Sequence, residues 1–476
     1  MNTQYLLMNK NKIVAEITSD WELKNIQAPL PLGMKSFDDW IENRKAYKHN
    51  QSLKKLMLDL GCNKKEGFIK VTNCSSLNDA YWVYDTRTNR TWDKINLYDN
   101  KFNEVISKLA FEGFGLYGGD FSSTTPELTS DGSYKKCWKR LNGSIYLYKQ
   151  GKDIGFNSGL EPYCEVMASE LNEKVCTDSV KYTLSMLHRK ITSCCELFTN
   201  KDIGYVPLSK ILPLNITFKD IQNYFYELGA EEKFREIMVM DAITFNVDRH
   251  LGNIGVLVNN DTQVPIDIAP NFDFNMALLP YVIEDEFDDI GSKLLEYSPK
   301  MGNDFTQLGQ KMLTDKIKDK VKDLQDFHFL SFNGDKKFTK KRINQIEDIV
   351  HKQIDAILSK EILKTKDVFI PNLSNIRNID YDNSAEIQKA EELKNIISNE
   401  IINITEDNHV EAIFTFENEN NYYDIIINMF DDSIVIQKDG IDISSNDIPN
   451  QIVEKYDDIC RIYDSFILDN NIIKEK

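Results

Sequence analysis

Three oxygen-bearing side chains form the chemical centre of this sequence. Asp248 and Asn253 lie in Asn246-Val247-Asp248-Arg249-His250-Leu251-Gly252-Asn253, and Asp273 lies in Ala269-Pro270-Asn271-Phe272-Asp273-Phe274-Asn275. Such a set suits phosphoryl transfer. One carboxylate takes the proton of an attacking hydroxyl, while a second carboxylate and a carboxamide oxygen hold Mg²⁺ against phosphates. Taken singly, an Asp at a helix end and an Asn in a turn are ordinary caps. The combination points to a nucleotide–metal site.

The intervening sequence has to bring these groups together. Ile254, Val256 and Val258 alternate as in a half-buried strand, Asn259-Asn260-Asp261-Thr262 is turn chemistry, and Val264, Ile266 and Ile268 alternate again. A β-hairpin returns the chain to its start, so Asp248 and Asn253 are expected near Asp273. Asn253 follows Asp248 by five residues, the spacing of the metal-binding Asn after the catalytic Asp in protein kinases. The order differs, because Arg249 and His250 follow the acid instead of preceding it. The almost uniformly apolar stretch 234–243 reads as a buried helix leading into Asp248.

Upstream, Ile145-Tyr146-Leu147-Tyr148-Lys149 reads as a strand. Ile145, Leu147 and Lys149 share a buried face, so the lysine requires an anionic partner. A helix follows, with Pro162 in its first turn and Glu165 early in it. A strand Lys with a helix Glu is the pair that positions nucleotide phosphates in kinases. The bland alternative is two exposed, unrelated charges. The segment Leu128 to Trp138, with Thr129, Ser130, Asp131, Gly132, Lys135 and Lys136, is either a phosphate cradle or a polar hairpin loop. Gly113-Phe114-Gly115-Leu116-Tyr117-Gly118 matches G-x-G-x-x-G literally, but a helical pattern precedes it and none follows, so it reads as a plain turn. Ser193 to Phe198, running into Thr199-Asn200-Lys201-Asp202, has the form of an inter-lobe hinge whose backbone can read an adenine edge.

Composition narrows the classes. The chain has 476 residues, 41% hydrophobic and 11% aromatic, enough for packed cores. Its net charge of −18 repels phosphate backbones and anionic lipid heads, which argues against nucleic acid as main ligand, a local basic cleft aside, and against membrane work. Eight cysteines occur without a C-x-x-C pair, so buried free thiols are expected rather than structural zinc. No signal-peptide layout and no membrane-length apolar run is evident, and a reducing cytoplasm is the expected compartment.

The expected organisation is a mixed α/β region over 1–98, an N-lobe over 99–198, a helical C-lobe over 199–365, a linker at 366–384 and an accessory α+β domain over 385–476. Strands are expected at 13–17, 68–71 and 81–84, and Ser36 with Asp39 reads as a capping box. Gly61 reads as a helix C-cap and Thr339 as an N-cap, while 285–289 reads as a solvated acidic loop. In the accessory domain, a helix at 386–399, strands near 411–417, 422–430 and 433–438, and a helix near 447–460 are expected.

Several of these stretches together resemble the HipA-like serine/threonine kinases, in particular a stand-alone subgroup. They are Leu30-Pro31-Leu32-Gly33, Ser76 to Trp82, Pro126 to Gly132, Glu161-Pro162-Tyr163-Cys164-Glu165, Asn246 to His250 with Asn253, and Ala269 to Asp273. The resemblance spans about Leu30 to Leu363 and implies a two-lobed, protein-kinase-like α+β fold of HipA type, with the N-terminal α/β region and the C-terminal domain as extras. It further implies ATP and Mg²⁺ as cofactors, Asp248 as catalytic acid–base, and Asn253 and Asp273 as metal ligands. Lys149 becomes the ATP-phosphate lysine with Glu165 as its partner, Thr129-Ser130-Asp131-Gly132 with Lys136 the phosphate loop, and Glu196 and Phe198 the adenine hinge. Autophosphorylation is implied three residues before the loop glycine, at Thr129, with Ser130 as the neighbouring hydroxyl. A protein substrate carrying Ser or Thr, an antitoxin partner and a toxin or regulator role complete the implication. Asn275 departs from the Asp-Phe-Gly pattern. Two rival functions are a lipid kinase of phosphatidylinositol type, which shares the Asp-Arg-His-x-x-Asn order, and a nucleotide-binding pseudokinase scaffold.

Overall fold

A computed structural model describes residues 4–46, 51–112, 124–130, 132, 134–152, 157–213, 216–294, 297–302, 304–330 and 334–359, together with the strands at 401–404, 410–418, 421–428, 434–438 and 441–442. The chain divides into two compact units, Met1–Ile376 and Arg377–Lys476.

The first unit opens with an antiparallel sheet. Strands β1 (Tyr5–Asn9), β2 (Lys12–Ile17), β3 (Leu23–Lys24) and β4 (Tyr81–Asp85) lie in the order β3-β2-β1-β4. Helices α1 (Phe37–Glu42), α2 (Gln51–Asp59), α3 (Lys65–Thr72), α4 (Trp92–Ile95) and α5 (Glu104–Glu112) accompany it. Leu7, Val14, Phe37, Ile41, Phe68, Tyr81 and Ile106 pack in one fully buried core.

Two local expectations need correction here. The stretch 68–71 is helical, inside α3. A short apolar run carries no period of its own, and burial of Phe68, Ile69, Val71 and Thr72 on a three-four spacing decided for helix. Ser36 does cap α1, accepting from the Asp39 N–H, but the Asp39 carboxylate accepts from Asn43 Nδ2 at 3.0 Å, so the box is only half made.

A second antiparallel sheet, β5-β6-β8-β7, is made of β5 (Lys136–Leu141), β6 (Ser144–Gln150), β7 (Tyr182–Leu187) and β8 (Lys190–Glu196), with α6 (Glu161–Val175) between β6 and β7. A third sheet pairs β9 (Ile203–Pro207) with the hairpin β10 (Gly255–Asn259) and β11 (Pro265–Ile268), in the order β11-β10-β9. Helices α7 (Leu208–Ile211), α8 (Phe218–Glu227), α9 (Glu231–Thr244), α10 (Ile290–Leu294), α11 (Phe305–Met312), α12 (Asp315–Lys322) and α13 (Lys340–Leu358) supply the rest. Thr339 caps α13 by accepting from the Arg342 N–H, and the stripe Ile343, Ile346, Val350, Ile354 and Ile357 is buried. The acidic run 285–289 lies in a 3₁₀ helix, Glu284–Asp289, instead of a loop. Phe287 is its buried anchor and gives the turn an apolar side that the charges obscured.

The N-terminal sheet region is tied to the third sheet, at β9 and at the β10–β11 turn. Asn78 carbonyl accepts from Tyr205 N–H at 2.7 Å, and Asn9 Nδ2 donates to the Asn260 carbonyl at 2.5 Å. The seven described cysteines are free and buried. Among the described residues no helix is long and apolar enough to cross a membrane.

The second unit contains an antiparallel meander of β12 (Ile401–Ile404), β13 (Val410–Asn418), β14 (Asn421–Asn428), β15 (Ile434–Lys438) and β16 (Ile441–Asp442), in sequence order. Its three central strands match those read from the sequence, while β12 and β16 were missed. The helices expected at 386–399 and 447–460, the linker at 366–384 and the glycine stretch at 113–118 lie outside the described residues.

Candidate active site

The site is built around one buried guanidinium. Arg249 is 2% exposed, and its Nε and Nη2 donate to Asp241 Oδ2 at 2.7 Å and Oδ1 at 3.1 Å. Asp241 lies in α9 among apolar neighbours, where a bare carboxylate would be costly. Arg249 Nη1 also donates to the carbonyls of Asn253 at 2.8 Å and Phe272 at 3.0 Å, and Nη2 donates to Asn271 Oδ1 at 2.6 Å. One side chain therefore ties the loop of Asp248 and Asn253 to the segment that ends in Asp273. Burial lowers the guanidinium's proton affinity, but Asp241 more than offsets this and holds it charged. Neither residue was assigned a role from the sequence. The available signal was an acid inside an apolar helix, eight residues before an arginine.

The hairpin does what its pattern required, with Val256 opposite Ile268 and Leu257 opposite Asp267. Asn253 is held inside its own loop. Its Nδ2 donates to the Asp248 carbonyl at 2.5 Å, and its Oδ1 accepts from His250 N–H at 2.8 Å, leaving a second lone pair. Asp273 has φ +63°, a left-handed conformation that costs free energy unless its surroundings enforce it. They do: Asp273 N–H donates to Tyr182 Oη at 3.2 Å, and Phe274 N–H donates to Glu165 Oε1 at 3.3 Å.

Lys149 joins β6 to α6 and to the segment after the β10–β11 hairpin. Its ammonium donates to Glu165 Oε1 at 2.7 Å and to Asp273 Oδ1 at 2.5 Å. Ser193 Oγ, from β8, donates to the other Glu165 oxygen. Burial presses the lysine towards neutrality, but Asp273 and Glu165 more than reverse this and hold it charged. For Asp273, burial acts upward and Lys149 overcomes it, keeping the carboxyl below its usual range. Glu165 is raised, with burial the largest cause.

The remaining predicted residues fall into three groups. Lys136 stands opposite Lys149 in the β5–β6 register, and its charge helps to hold Asp273 ionised. Its ammonium lies against Gly132, whose φ of +109° would strain any side chain placed there. Thr129 is buried, and its hydroxyl donates to the Ser75 carbonyl at 2.9 Å. Ser130 Oγ donates to the Pro126 carbonyl at 2.7 Å and accepts from Trp138 Nε1 at 2.7 Å. Asp131 lies outside the described residues. Glu196 ends β8 exposed. Phe198 packs with Tyr205 and Phe272, its ring centroid 5.7 and 5.5 Å from theirs, linking the end of β8 to the residue before Asp273.

Asp248 faces a cation that the motifs did not include: Lys300 Nζ donates to its Oδ1 at 2.9 Å. The donor set suits Mg²⁺, which takes hard oxygen ligands and needs only one or two protein carboxylates beside phosphates. Asp273 and Asn253 carry such oxygens, and two residues after Asp273 the buried carboxamide oxygen of Asn275 has no hydrogen-bond partner among the described residues.

No protein-family model and no curated protein matches the chain. Among solved structures it is similar to the proinflammatory kinase CtkA of Helicobacter pylori, at 16% identity over 47% of this chain and 92% of that one, with a TM-score of 0.34. It is also similar to a chain from the Shewanella oneidensis MR-1 toxin–antitoxin complex of HipA, HipB and operator DNA. The identity there is 11% over 74% of this chain and 97% of that one, with a TM-score of 0.46. Likenesses of this size carry no conclusion about what this chain does.

Proposed function

We propose that the chain is an ATP- and Mg²⁺-dependent kinase of HipA-like type that phosphorylates Ser or Thr hydroxyls of proteins, including one in its own phosphate loop. The observation that carries this reading is the shared ammonium of Lys149, in contact with Glu165 and with Asp273, the latter 124 positions away. A strand lysine, a helix acid and a post-hairpin acid meet where nucleotide phosphates need a fixed cation.

In this mechanism Lys149 orients the α- and β-phosphates. Asp273 and Asn253 would hold the metal, which when bound supplies neutralising charge at the β- and γ-phosphate oxygens. Asp248 accepts the proton of the acceptor hydroxyl. The hinge from Glu196 to Phe198 would seat the base. Thr129 is hydrogen-bonded to the Ser75 carbonyl, so the turn holding it has to open before its hydroxyl can meet a γ-phosphate. An antitoxin partner and a toxin or regulator role belong to the same proposal.

The test is incubation with γ-labelled ATP and Mg²⁺, parent beside Asp248→Asn and beside parent with chelator, followed by phosphosite mapping. Label should enter the parent at Thr129 or Ser130 and be lost with chelator. In Asp248→Asn it should fall by about 10²–10⁴-fold, the usual weight of a general base. A parent that labels neither itself nor any protein in a cell extract overturns the kinase reading. Equal labelling of parent and Asp248→Asn removes Asp248 from the mechanism.

A further inference from the structure

Lys300 belongs to none of the motifs. It lies in the segment between α10 and α11, and the next residue, Met301, is 1% exposed, which pins the backbone to the core. From there its ammonium reaches Asp248 Oδ1 at 2.9 Å, with the two side chains 18% and 29% exposed. We propose that Lys300 is the cation that neutralises the phosphoryl group during transfer, held over the acceptor side by Asp248. This assignment rests on the kinase reading.

Charge distribution argues for it. On the nucleotide side one ammonium, Lys149, is shared between two carboxylates, Glu165 and Asp273. On the acceptor side a third carboxylate, Asp248, would by itself repel an incoming phosphoryl group. Lys300 offsets that charge before reaction. An acceptor hydroxyl hydrogen-bonded to Asp248 Oδ1 lies about 2.7 Å from that oxygen, so Lys300, 2.9 Å from it, stands within about 6 Å of the attacking oxygen. A flexible lysine stem can cover that gap.

During transfer the hydroxyl oxygen's lone pair forms the new bond to the γ-phosphorus. The bond from γ-phosphorus to the β–γ bridging oxygen breaks, and its electron pair leaves on ADP. The hydroxyl proton passes to Asp248. Once protonated, Asp248 loses its hold on the ammonium as negative charge spreads over the phosphoryl oxygens. Lys300 then pairs with those oxygens and is not consumed. A preorganised donor aimed at developing charge is the largest single contribution in many active sites.

The experiment uses the full chain with Mg²⁺ and compares binding of ADP alone with binding of ADP plus aluminium fluoride, a mimic of the transferring phosphoryl group. Parent, Lys300→Met, Lys300→Gln and Lys300→Arg are measured, so that failure of one variant to fold leaves the others. Fluoride should tighten ADP binding to the parent. In Lys300→Met and Lys300→Gln that gain should shrink by about 10²-fold, while the Kd for ADP stays within about threefold. Lys300→Arg should keep most of the gain. In turnover, kcat should fall by about 10²-fold with KM for ATP little changed, the pattern of an interaction made only in the transition state. A parental gain retained in the Met and Gln variants, equal loss of ADP binding, or no gain in the parent overturns the assignment. A parent that binds the mimic but transfers no phosphate counts against the kinase reading alone, and the mimic still decides the role of Lys300.

Discussion

Lys149 and Lys300 each hold an acid of the candidate site, but they are built into the molecule differently. Lys149 is 8% exposed, projects from a central strand and is shared by Glu165, at 1%, and Asp273. Lys300 is 18% exposed and meets Asp248, whose side chain is 29% exposed. In the first cluster the ammonium and Glu165 are buried, Asp273 is 29% exposed, and together they join β6 and α6 to the segment after the β10–β11 hairpin. The second hangs on a short anchored segment, and in the proposal above it is released as Asp248 takes the proton. A group that fixes the nucleotide benefits from the first design, and one that follows charge through a reaction benefits from the second.

The sharpest way to break this contrast is Lys149→Met. Its removal leaves two carboxylates facing each other with their cation gone. The cost should be about 3–5 kcal/mol of folding stability, as for other broken buried pairs. Urea unfolding of parent and variant measures it. A loss under about 1 kcal/mol would mean that the cluster is solvated, and the contrast with Lys300 would vanish.

Acid titration sharpens the same point. Asp273 is held below its ordinary value, so its contribution is present above about pH 4 and is lost as pH falls through the folded value. Lys149 is raised, so its contribution persists below about pH 10 and is lost only at higher pH. Glu165 is raised and acts in the opposite sense to Asp273, its carboxyl protonating more readily in the folded state. Without Lys149 the depression of Asp273 disappears. The gap in Tm between parent and Lys149→Met should therefore narrow as pH falls below about 4. An equal gap at pH 7 and pH 3 would remove Asp273 from the pair.

A smaller effect comes from Ser193, which is 1% exposed and donates to Glu165. Ser193→Ala takes one donor from a buried carboxylate and should cost about 1–3 kcal/mol. It should also weaken ADP binding less than Lys149→Met does, since the lysine contact remains. A neutral Ser193→Ala would show that Lys149 and the Phe274 N–H suffice to hold Glu165.

The difference between the two lysines also marks what the sequence could convey. Lys149 was legible because strand alternation put a charge on an apolar face, and a buried charge demands a partner. The hairpin between Asn253 and Asp273 was legible because alternating strands around turn residues are a readable pattern with a fixed consequence for their ends. Arg249 was harder: its partners lie in α9, at Asp241, and in the segment after β11, at Asn271 and the Phe272 carbonyl. Lys300 had no local signal, since a lysine between two short helices is usually solvated, and only tertiary folding sets it 2.9 Å from Asp248. The strand expected at 68–71 failed for a related reason. Four residues hold no periodicity, and packing chose the helix. The five-stranded meander was half legible, because β12 and β16 are only four and two residues long.

The smallest expected effect is the most diagnostic for the contrast. Lys300→Met removes an ion pair whose members keep contact with water, and such pairs contribute about 0–1 kcal/mol. Its Tm should stay within a few degrees of the parent, and the small difference should shrink further in high salt, because exposed charges are screened within about 10 Å at 0.1 M. Lys149→Met should keep its deficit in the same salt, since a buried pair is screened much less. If Lys300→Met instead lost several kcal/mol independently of salt, Lys300 would be a structural strut. Its loss of transfer activity would then follow from misplacing Asp248 instead of from missing charge on the phosphoryl group.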